Sequence, residues 1–229
     1  MTRRKARTGR GTRGEAAVLL LGFEPFDGDT VNPSQEICRA LAGQRVARHR
    51  IHAEVLPVSF AMALTELAHA LDRHQPRLVL AIGLAAGRAR LSLERVALNL
   101  IDARIADNQG AQPIDVPVIA GAPDAYFTDL PLKAMRRAIQ ARGIPAELSL
   151  SAGTFVCNAV YFALRHLAAV HRPGMRCGFM HVPGLPQQAA RDPGAASMSL
   201  DTMCEGTLAA LDAALSHDTD LPESGGTVS

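Results

Sequence analysis

The sequence predicts an α/β protein, a three-layer α/β/α sandwich around a mainly parallel, twisted sheet. Short apolar runs of strand length, such as 17–22 and 78–82, alternate along the chain with segments of helical period. Strands in this order pair in parallel and are covered on both faces, which explains why they are apolar throughout. The length of 229 residues also suits one large domain whose core needs no disulfide or metal.

The strands are predicted from apolar runs that are bounded by turn residues. The segment 92–101 is ambiguous in its period, and 106–125 is rich in proline, glycine and aspartate, which is typical of a loop. In chain order, the predicted extended segments are 17–22, 46–58, 78–82, 147–151 and 176–181.

The helices are predicted from the spacing of apolar residues and from signals at the helix ends. Asn32 and Pro33 suit the N-cap and the first position of one helix, Ser59 suits the N-cap of the next, and Gly143 ends the third. In chain order, the predicted helices are 33–41, 60–74, 131–142, 156–171 and 198–215.

Charged residues are unevenly distributed along the chain. The 24 basic and 22 acidic residues give a net charge of +2, but six basic residues and one acidic residue, Glu15, lie in 1–15, and three acidic residues lie in 216–229. The part between them is neutral, and both ends have the composition of loose segments. We therefore predict a disordered basic arm at 1–15, a single α/β domain with the activity at 16–215, and a disordered tail at 216–229.

Composition and charge exclude several classes of protein. A neutral body with 4% aromatic residues offers no basic face and few stacking rings, so we expect no nucleic-acid partner unless the basic arm supplies one. The apolar run 16–23 leads into Glu24 without the cleavage site of a signal peptide. No apolar stretch approaches the roughly 20 residues needed to cross a bilayer, so we expect no membrane association.

The fold class selects a few loops as candidate sites. In sheets of this type the ligand lies beyond the carboxyl ends of the strands. The loops expected there are 22–28, 83–90, 152–157 and 181–188.

The four cysteines are scattered, without CxxC pairs or zinc-type spacing, so we expect reduced thiols, a cytoplasmic location and no metal. Cys157 differs from the others because it lies in the first turn of a predicted helix, where free N–H groups and the helix dipole favour a reactive thiolate. A buried, inert thiol is the alternative, since cysteine often packs as a small hydrophobe. Cys38, Cys177 and Cys204 lie inside predicted helices or strands, where core packing is the default.

A nucleophilic thiol needs a base, and the base needs an orienting group. Among the eight histidines, His181 stands apart because it ends an apolar run and begins a proline-rich loop at the ligand edge. A hydrogen-bonded core histidine is the alternative. Glu94 lies in an apolar segment, and a buried carboxylate there requires either a salt bridge or a catalytic partner.

Common site motifs are missing from the candidate loops. The loop 83–88 contains two glycines, but it does not read GxGxxG and no Lys-Ser/Thr follows it, so its signal for nucleotide binding is weak. GxSxG is absent as well, which argues against a serine hydrolase of the usual elbow type.

Five blocks of sequence, spread over about residues 18–210, form one further pattern. They are GFEPF with NPS at 22–34, GR with ERVA at 87–97, DARI with DN at 102–108, SAGTFVCN at 151–158, and HVP at 181–183 with Pro186 and Gln188. In this order they resemble the pyroglutamyl peptidase I family of cysteine peptidases, which remove an N-terminal pyroglutamyl residue from peptides.

The resemblance implies a catalytic triad of Glu94, Cys157 and His181 on an α/β/α sandwich, with no cofactor. Cys157 would attack the carbonyl carbon of the pyroglutamyl residue, with His181 as base and then acid and Glu94 orienting the imidazole. Water would then hydrolyse the acyl-enzyme. The family pattern also places Arg104 near the site, where it and the Cys157 backbone N–H would support the charge on the tetrahedral oxygen.

The resemblance also implies substrate-binding positions. Pyroglutamate is a flat, neutral lactam, so apolar walls and a few amide-type hydrogen bonds suit it. Core packing is the alternative role for the phenylalanines. The matching positions are Phe23, Phe26, Phe155 and Val156 as ring-holding residues, Asn32 as support for the first loop, and Leu84 in the loop after the third strand.

Five positions depart from the family pattern. Asp27 stands where a second glycine is usual, and Ala86 replaces a glycine. Leu84 stands where many members carry glutamine, which lowers affinity only if that side chain touches substrate. Ala106 replaces a proline, and Val58 replaces a threonine of some members. None of these departures alters the triad.

The resemblance implies N-terminally pyroglutamylated peptides as substrates and a homotetramer or dimer as the assembly. Two alternatives remain at this point. One is a thiol amidase that acts on another small lactam or amide, which the departures at Leu84 and Asp27 motivate. The other is a non-catalytic ligand-binding module on the same scaffold, with an inert Cys157.

Overall fold

A central seven-stranded sheet organises the protein in a computed structural model that describes residues 17–192 and 194–226. The predicted basic arm at 1–15 lies outside the described residues. The strands are β1 (Val18–Phe23), β2 (Arg45–Val46), β3 (His49–Leu56), β4 (Leu78–Leu84), β5 (Leu91–Glu94), β6 (Val96–Leu98), β7 (Ala125–Phe127), β8 (Ala146–Ser149) and β9 (Arg176–Val182). The helices are α1 (Pro33–Leu41), α2 (Phe60–His74), α3 (Leu132–Gln140), α4 (Val156–His171), α5 (Pro186–Ala189) and α6 (Leu200–Ser216).

The strand order in the large sheet is β2-β3-β1-β4-β9-β5-β8. Four central strands, β3, β1, β4 and β9, run parallel, as the sequence predicts. The strands β5 and β8 are parallel to each other but antiparallel to β9. The mainly parallel sheet is therefore confirmed, with a reversed pair at one edge that the order of strands and helices does not reveal.

Helices cover both faces of this sheet, which confirms the three-layer sandwich. On one face the core contains apolar residues of α1, α3 and α6, and on the other it contains those of α2 and α4. Strand residues alternate between the two cores: Leu20 and Leu80 face the first, whereas Leu19, Leu21 and Val79 face the second. The second face, beneath α2 and α4, carries the candidate site.

The predicted helix starts match the structure closely. Asn32 and Ser59 cap α1 and α2 with their side chains, accepting hydrogen bonds from the backbone N–H groups of Ser34 and Met62. The ambiguous segment 92–101 contains two short strands, β5 and β6, and β6 pairs with β7 in a separate two-stranded sheet. Among the described residues, no helix combines the length and the apolar character needed to span a membrane.

The segment 217–226 contacts the rest of the protein, whereas its composition predicts a loose tail. The carboxylate of Asp220 accepts hydrogen bonds from the backbone N–H groups of Lys133 and Ala134 at the start of α3. That helix has no side-chain cap of its own, because Pro131 occupies the N-cap. Arg136 of α3 also pairs with Glu223 at 3.3 Å. Composition misses these contacts because they depend on where α3 begins in space.

Candidate active site

Strand register places the candidate site residues on one face of the sheet. His181 and Phe179 are two residues apart in β9, so their side chains point to the same face. Gly83 of β4 is paired with His181, and Glu94 of β5 is paired with Phe179. Because residues in register share a face, the imidazole, the carboxylate and the position of Gly83 all lie beneath α4.

The imidazole of His181 is fixed by a buried carboxylate. His181 Nδ1 lies 2.8 Å from Glu94 Oε1, and the two side chains are 5% and 0% exposed. Since an ionised carboxylate only accepts hydrogen bonds, Nδ1 carries the proton and Nε2 is left as the acceptor in the neutral ring. The ring of Phe179 packs beside the imidazole, with centroids 4.8 Å apart, and restricts its rotation.

Cys157 lies in α4, the helix that covers this face of the sheet. It is the second residue of α4, and its Sγ lies so close to Gly83 that a Cβ there would be 2.7 Å from the sulfur. The same Cβ would be 2.8 Å from Phe179 Cζ. The thiol therefore lies over the strand pair that carries His181, on the same side of the sheet. Among the described residues, no hydrogen bond links Cys157 Sγ to His181.

Burial controls the ionisation of the thiol. Although Cys157 as a residue is partly exposed, its sulfur lies against the sheet, and burial together with the negative charge of Glu94 raises the pKa of the thiol to about 12. The backbone N–H at the helix start and the Arg88 guanidinium act in the opposite direction. The helix N-terminus alone does not produce a thiolate here, so the sulfur needs a base.

The start of α4 is held by contacts that sequence reasoning missed. The buried amide of Asn158 donates to the carbonyls of Leu98 and Leu100 and accepts from the Leu98 N–H, at 2.9–3.0 Å. Thr154 donates its hydroxyl to the carbonyl of Asp102 at 2.7 Å. In the sequence, the signal that would have identified Asn158 is an asparagine directly after the cysteine in an otherwise apolar helix. An amide that is buried there requires hydrogen-bond partners.

Two predicted ring-holding residues meet at the helix start. The rings of Phe26 and Phe155 are both partly exposed, with centroids 6.1 Å apart. Phe60, which the sequence did not single out, packs edge-on against Phe155 at 5.3 Å. Val156 is 1% exposed and belongs to the core beneath them. Phe26 and Phe155 thus form an aromatic surface at the start of α4, where Phe155 is the N-cap.

Two other predicted binding residues lie deeper. Phe23 is 2% exposed and packs on Phe179 with centroids 6.2 Å apart, so it is a core residue beneath the site. Asn32 is buried, and its amide donates to the carbonyl of Glu24, which fixes the loop after β1. Leu84 is half-buried and ends β4.

Arg88 and Arg104, two of the arginines in the pattern, differ in their surroundings. Arg104 is exposed, and among the described residues it forms no hydrogen bond or ion pair with Glu94, Cys157 or His181. Its segment is tied to the loop before α4, because the Asp102 N–H donates to the Thr154 carbonyl at 3.1 Å. Arg88 instead contacts Glu94 directly, at 2.7 Å. The buried acid that the sequence singles out therefore has both a cationic and an imidazole partner.

Two departures from the family pattern have a local explanation. Asp27 adopts a φ of 55°, a left-handed conformation that glycine adopts at no cost and that aspartate tolerates better than most residues. After Ala106, Asp107 accepts hydrogen bonds from three backbone N–H groups, those of Phe60, Gln109 and Ala111, which hold the turn without a proline.

No metal cluster is found in the part of the chain that the structure describes: no group of three or more His, Cys, Asp or Glu side chains there is arranged to hold an ion. The site consists instead of a thiol at a helix start, an imidazole and a buried carboxylate on one sheet face. Together with the α/β/α fold, these groups define the class of cysteine hydrolases.

Comparison with known proteins narrows this class. The family model described as pyroglutamyl peptidase matches residues 16–217. A pyrrolidone-carboxylate peptidase of Cupriavidus taiwanensis is 51% identical over 91% of this chain and 97% of its own, and one of Chromobacterium violaceum is 49% identical over 92% and 98%. The crystal structure of pyroglutamyl peptidase I from Bacillus amyloliquefaciens superimposes with a TM-score of 0.89 at 40% identity, covering 92% of this chain and all of that one. The chain belongs to the pyroglutamyl peptidase family.

The close approach at Gly83 gives a testable prediction. Gly83→Ala introduces a methyl group 2.7 Å from Cys157 Sγ, a distance that forces the sulfur or Phe179 to move. Because misplacing a catalytic group by about 1 Å costs about 100-fold in rate, we expect kcat to fall by about that factor. Gly87→Ala, in the following loop, meets no atom within 4 Å and is the matched control. Equal kcat values for the two variants would contradict the predicted crowding.

Proposed function

We propose that the protein is a cysteine exopeptidase that hydrolyses the N-terminal pyroglutamyl residue of peptides. The observation that carries the proposal is the position of Cys157 Sγ over Gly83, on the face where the Glu94 carboxylate fixes His181 at 2.8 Å. Membership of the pyroglutamyl peptidase family supplies the substrate class.

In the proposed reaction, the thiol proton of Cys157 passes to Nε2 of His181 as Sγ attacks the carbonyl carbon of the pyroglutamyl residue. The C–N bond to the peptide then breaks, a thioester forms, and the leaving amine takes the proton from Nε2. Water attacks the thioester with His181 again as base, which releases pyroglutamate and restores the thiol. Glu94 holds the Nδ1–H throughout, so that Nε2 faces the sulfur.

Support for the oxyanion comes from two groups in this proposal. The backbone N–H of Cys157 lies in the first turn of α4, whose N-cap, Phe155, makes no side-chain capping bond. Arg104 is the second group. Arg104 lies two residues after Asp102, whose carbonyl accepts a hydrogen bond from the Thr154 hydroxyl just before α4. Its guanidinium is exposed and therefore accessible to a substrate.

The pyroglutamyl ring is proposed to lie against Phe26 and Phe155. Their partly exposed rings form an apolar wall at the start of α4, the helix that carries Cys157. A flat, uncharged lactam suits such a wall, whereas a free α-ammonium group would lose part of its hydration against it. Phe23, Asn32 and Val156 support this wall from below because they are buried.

Chromogenic amides of L-pyroglutamate, L-proline and L-glutamate with a free amine test the substrate class. We expect release of the chromophore from the pyroglutamyl amide and turnover at least about 100-fold slower for the other two. Faster hydrolysis of a different lactam would favour the thiol amidase that Leu84 and Asp27 motivate. No hydrolysis of any amide, in a folded protein, would favour a binding module.

Location and assembly are also part of the proposal. We infer a cytoplasmic enzyme, since all four cysteines are free thiols. We infer a homo-oligomer, a tetramer or a dimer, which membership of the pyroglutamyl peptidase family favours. Light scattering coupled to gel filtration measures the assembly directly, and a mass of one chain at micromolar concentration would contradict it.

A further inference from the structure

The Arg88 side chain contacts three parts of the site at once. Its Nη1 donates to Glu94 Oε1 at 2.7 Å and to Ser149 Oγ at 3.3 Å, and its Nη2 donates to the carbonyl of Ser151 at 2.9 Å. These partners belong to β5, to the end of β8 and to the segment that leads into α4. Arg88 itself lies in the loop between β4 and β5.

The carboxylate of Glu94 needs this cation. Glu94 is fully buried, and its Oε1 receives both Arg88 and His181 while Oε2 has no partner among the described residues. Burying an ionised carboxylate is unfavourable unless it is paired with a cation and hydrogen-bonded. Without Arg88 the buried carboxylate would lose its cationic partner and the contact that aligns it as the acceptor for Nδ1 of His181.

The Arg88 guanidinium also holds the segment 149–151, which leads to Cys157. Ser149 is paired in register with Glu94, and from Ser151 only five residues separate the chain from Cys157. A planar group with several fixed donors can bridge a carboxylate, a hydroxyl and a carbonyl, which the single ammonium of a lysine does less well. Arg88 therefore links the acid that orients the base to the segment that carries the thiol.

We propose that Arg88 is a positioning residue for the reaction: it pairs with the Glu94 carboxylate and keeps it aligned with His181, and it fixes the segment 149–151 that leads to Cys157. The proposal rests on the proposed function. Arg88 does not contact the sulfur or the reacting carbonyl in this scheme, and acts through Glu94 and through the loop.

The test compares Arg88→Ala, Arg88→Lys and, as the matched control, Arg90→Ala, which removes an exposed arginine of the same loop. With the chromogenic pyroglutamyl amide, we expect Arg88→Ala to lower kcat by about 10- to 100-fold with KM nearly unchanged. The acid limb of the kcat profile shifts to higher pH, because the variant lacks the cation that lies 2.7 Å from Glu94 Oε1. Arg88→Lys restores part of both effects, and Arg90→Ala shows neither.

A purely structural Arg88 would give a different result. Loss of folded protein lowers the concentration of active sites, measured by titration of Cys157 with a thiol reagent, but leaves kcat per site and the pH profile unchanged. That outcome, or equal behaviour of the Arg88→Ala and Arg90→Ala variants, would overturn the proposal. If the wild-type protein hydrolyses no pyroglutamyl amide, the proposed function fails first, and the pH profile of Cys157 alkylation in the same variants then decides the role of Arg88.

Discussion

Replacing Cys157 by alanine is expected to abolish release of the chromophore from an L-pyroglutamyl amide. Without the sulfur no thioester forms, and loss of the nucleophile in enzymes of this type costs a factor on the order of 10⁶ in kcat. Cys157→Ser is expected to fall nearly as far, since the hydroxyl is a much weaker nucleophile near neutral pH. Initial rates at saturating substrate measure both effects.

Cys204→Ala is the matched control for this prediction. Cys204 is the other partly exposed cysteine, and it lies in α6, which covers the opposite face of the sheet from Cys157. We expect this variant to keep the wild-type kcat. Full activity in Cys157→Ala, or loss of activity in Cys204→Ala with the fold retained, would end the assignment of Cys157 as nucleophile.

Glu94→Gln is expected to lower kcat by about 10³- to 10⁴-fold. The amide can donate to Nδ1 of His181, which favours the tautomer with the proton on Nε2, and that ring cannot accept the thiol proton. It also leaves the Arg88 guanidinium without its buried anion. Binding of a pyroglutamyl analogue should change little, because Glu94 lies behind the imidazole.

The matched control for Glu94→Gln is Glu147→Gln. Glu147 lies on the adjacent strand β8 and accepts from Ser92 Oγ at 2.8 Å, but it does not contact His181. We expect nearly wild-type kcat for this variant. Unchanged turnover in Glu94→Gln would assign Glu94 to a structural ion pair with Arg88 alone.

The fold is largely predictable from the sequence because the signals are local. Caps such as Asn32 and Ser59 and the apolar strands place most elements within a few residues of their observed bounds. The reversal of β5 and β8 is not predictable in this way, since it depends on β9 entering the sheet between β4 and β5. For that reason the position of Glu94 against Phe179 could not be derived from the loops alone.

The residues of the candidate site also differ in how well the sequence predicts them. Cys157 and His181 stand out by their place at a helix start and a strand end, whereas Glu94 stands out only as an acid in an apolar segment. The roles of Arg88 and Asn158 escaped the sequence because their partners are far away in the chain: Arg88 contacts Ser149, and Asn158 contacts Leu98. Such contacts become visible only when the strand register is known.

The reactivity of Cys157 depends on His181. Burial raises the pKa of the Cys157 thiol to about 12, so the sulfur is reactive near neutral pH only through proton transfer to the imidazole. The most direct measurement is the rate of iodoacetamide alkylation at Cys157, followed by mass spectrometry near neutral pH in the wild type and in His181→Ala. We expect stoichiometric labelling of the wild type, slowed by a pyroglutamyl analogue, and a rate at least about 100-fold lower in His181→Ala. Equal alkylation rates in the two proteins would show that the reactivity of Cys157 does not depend on His181.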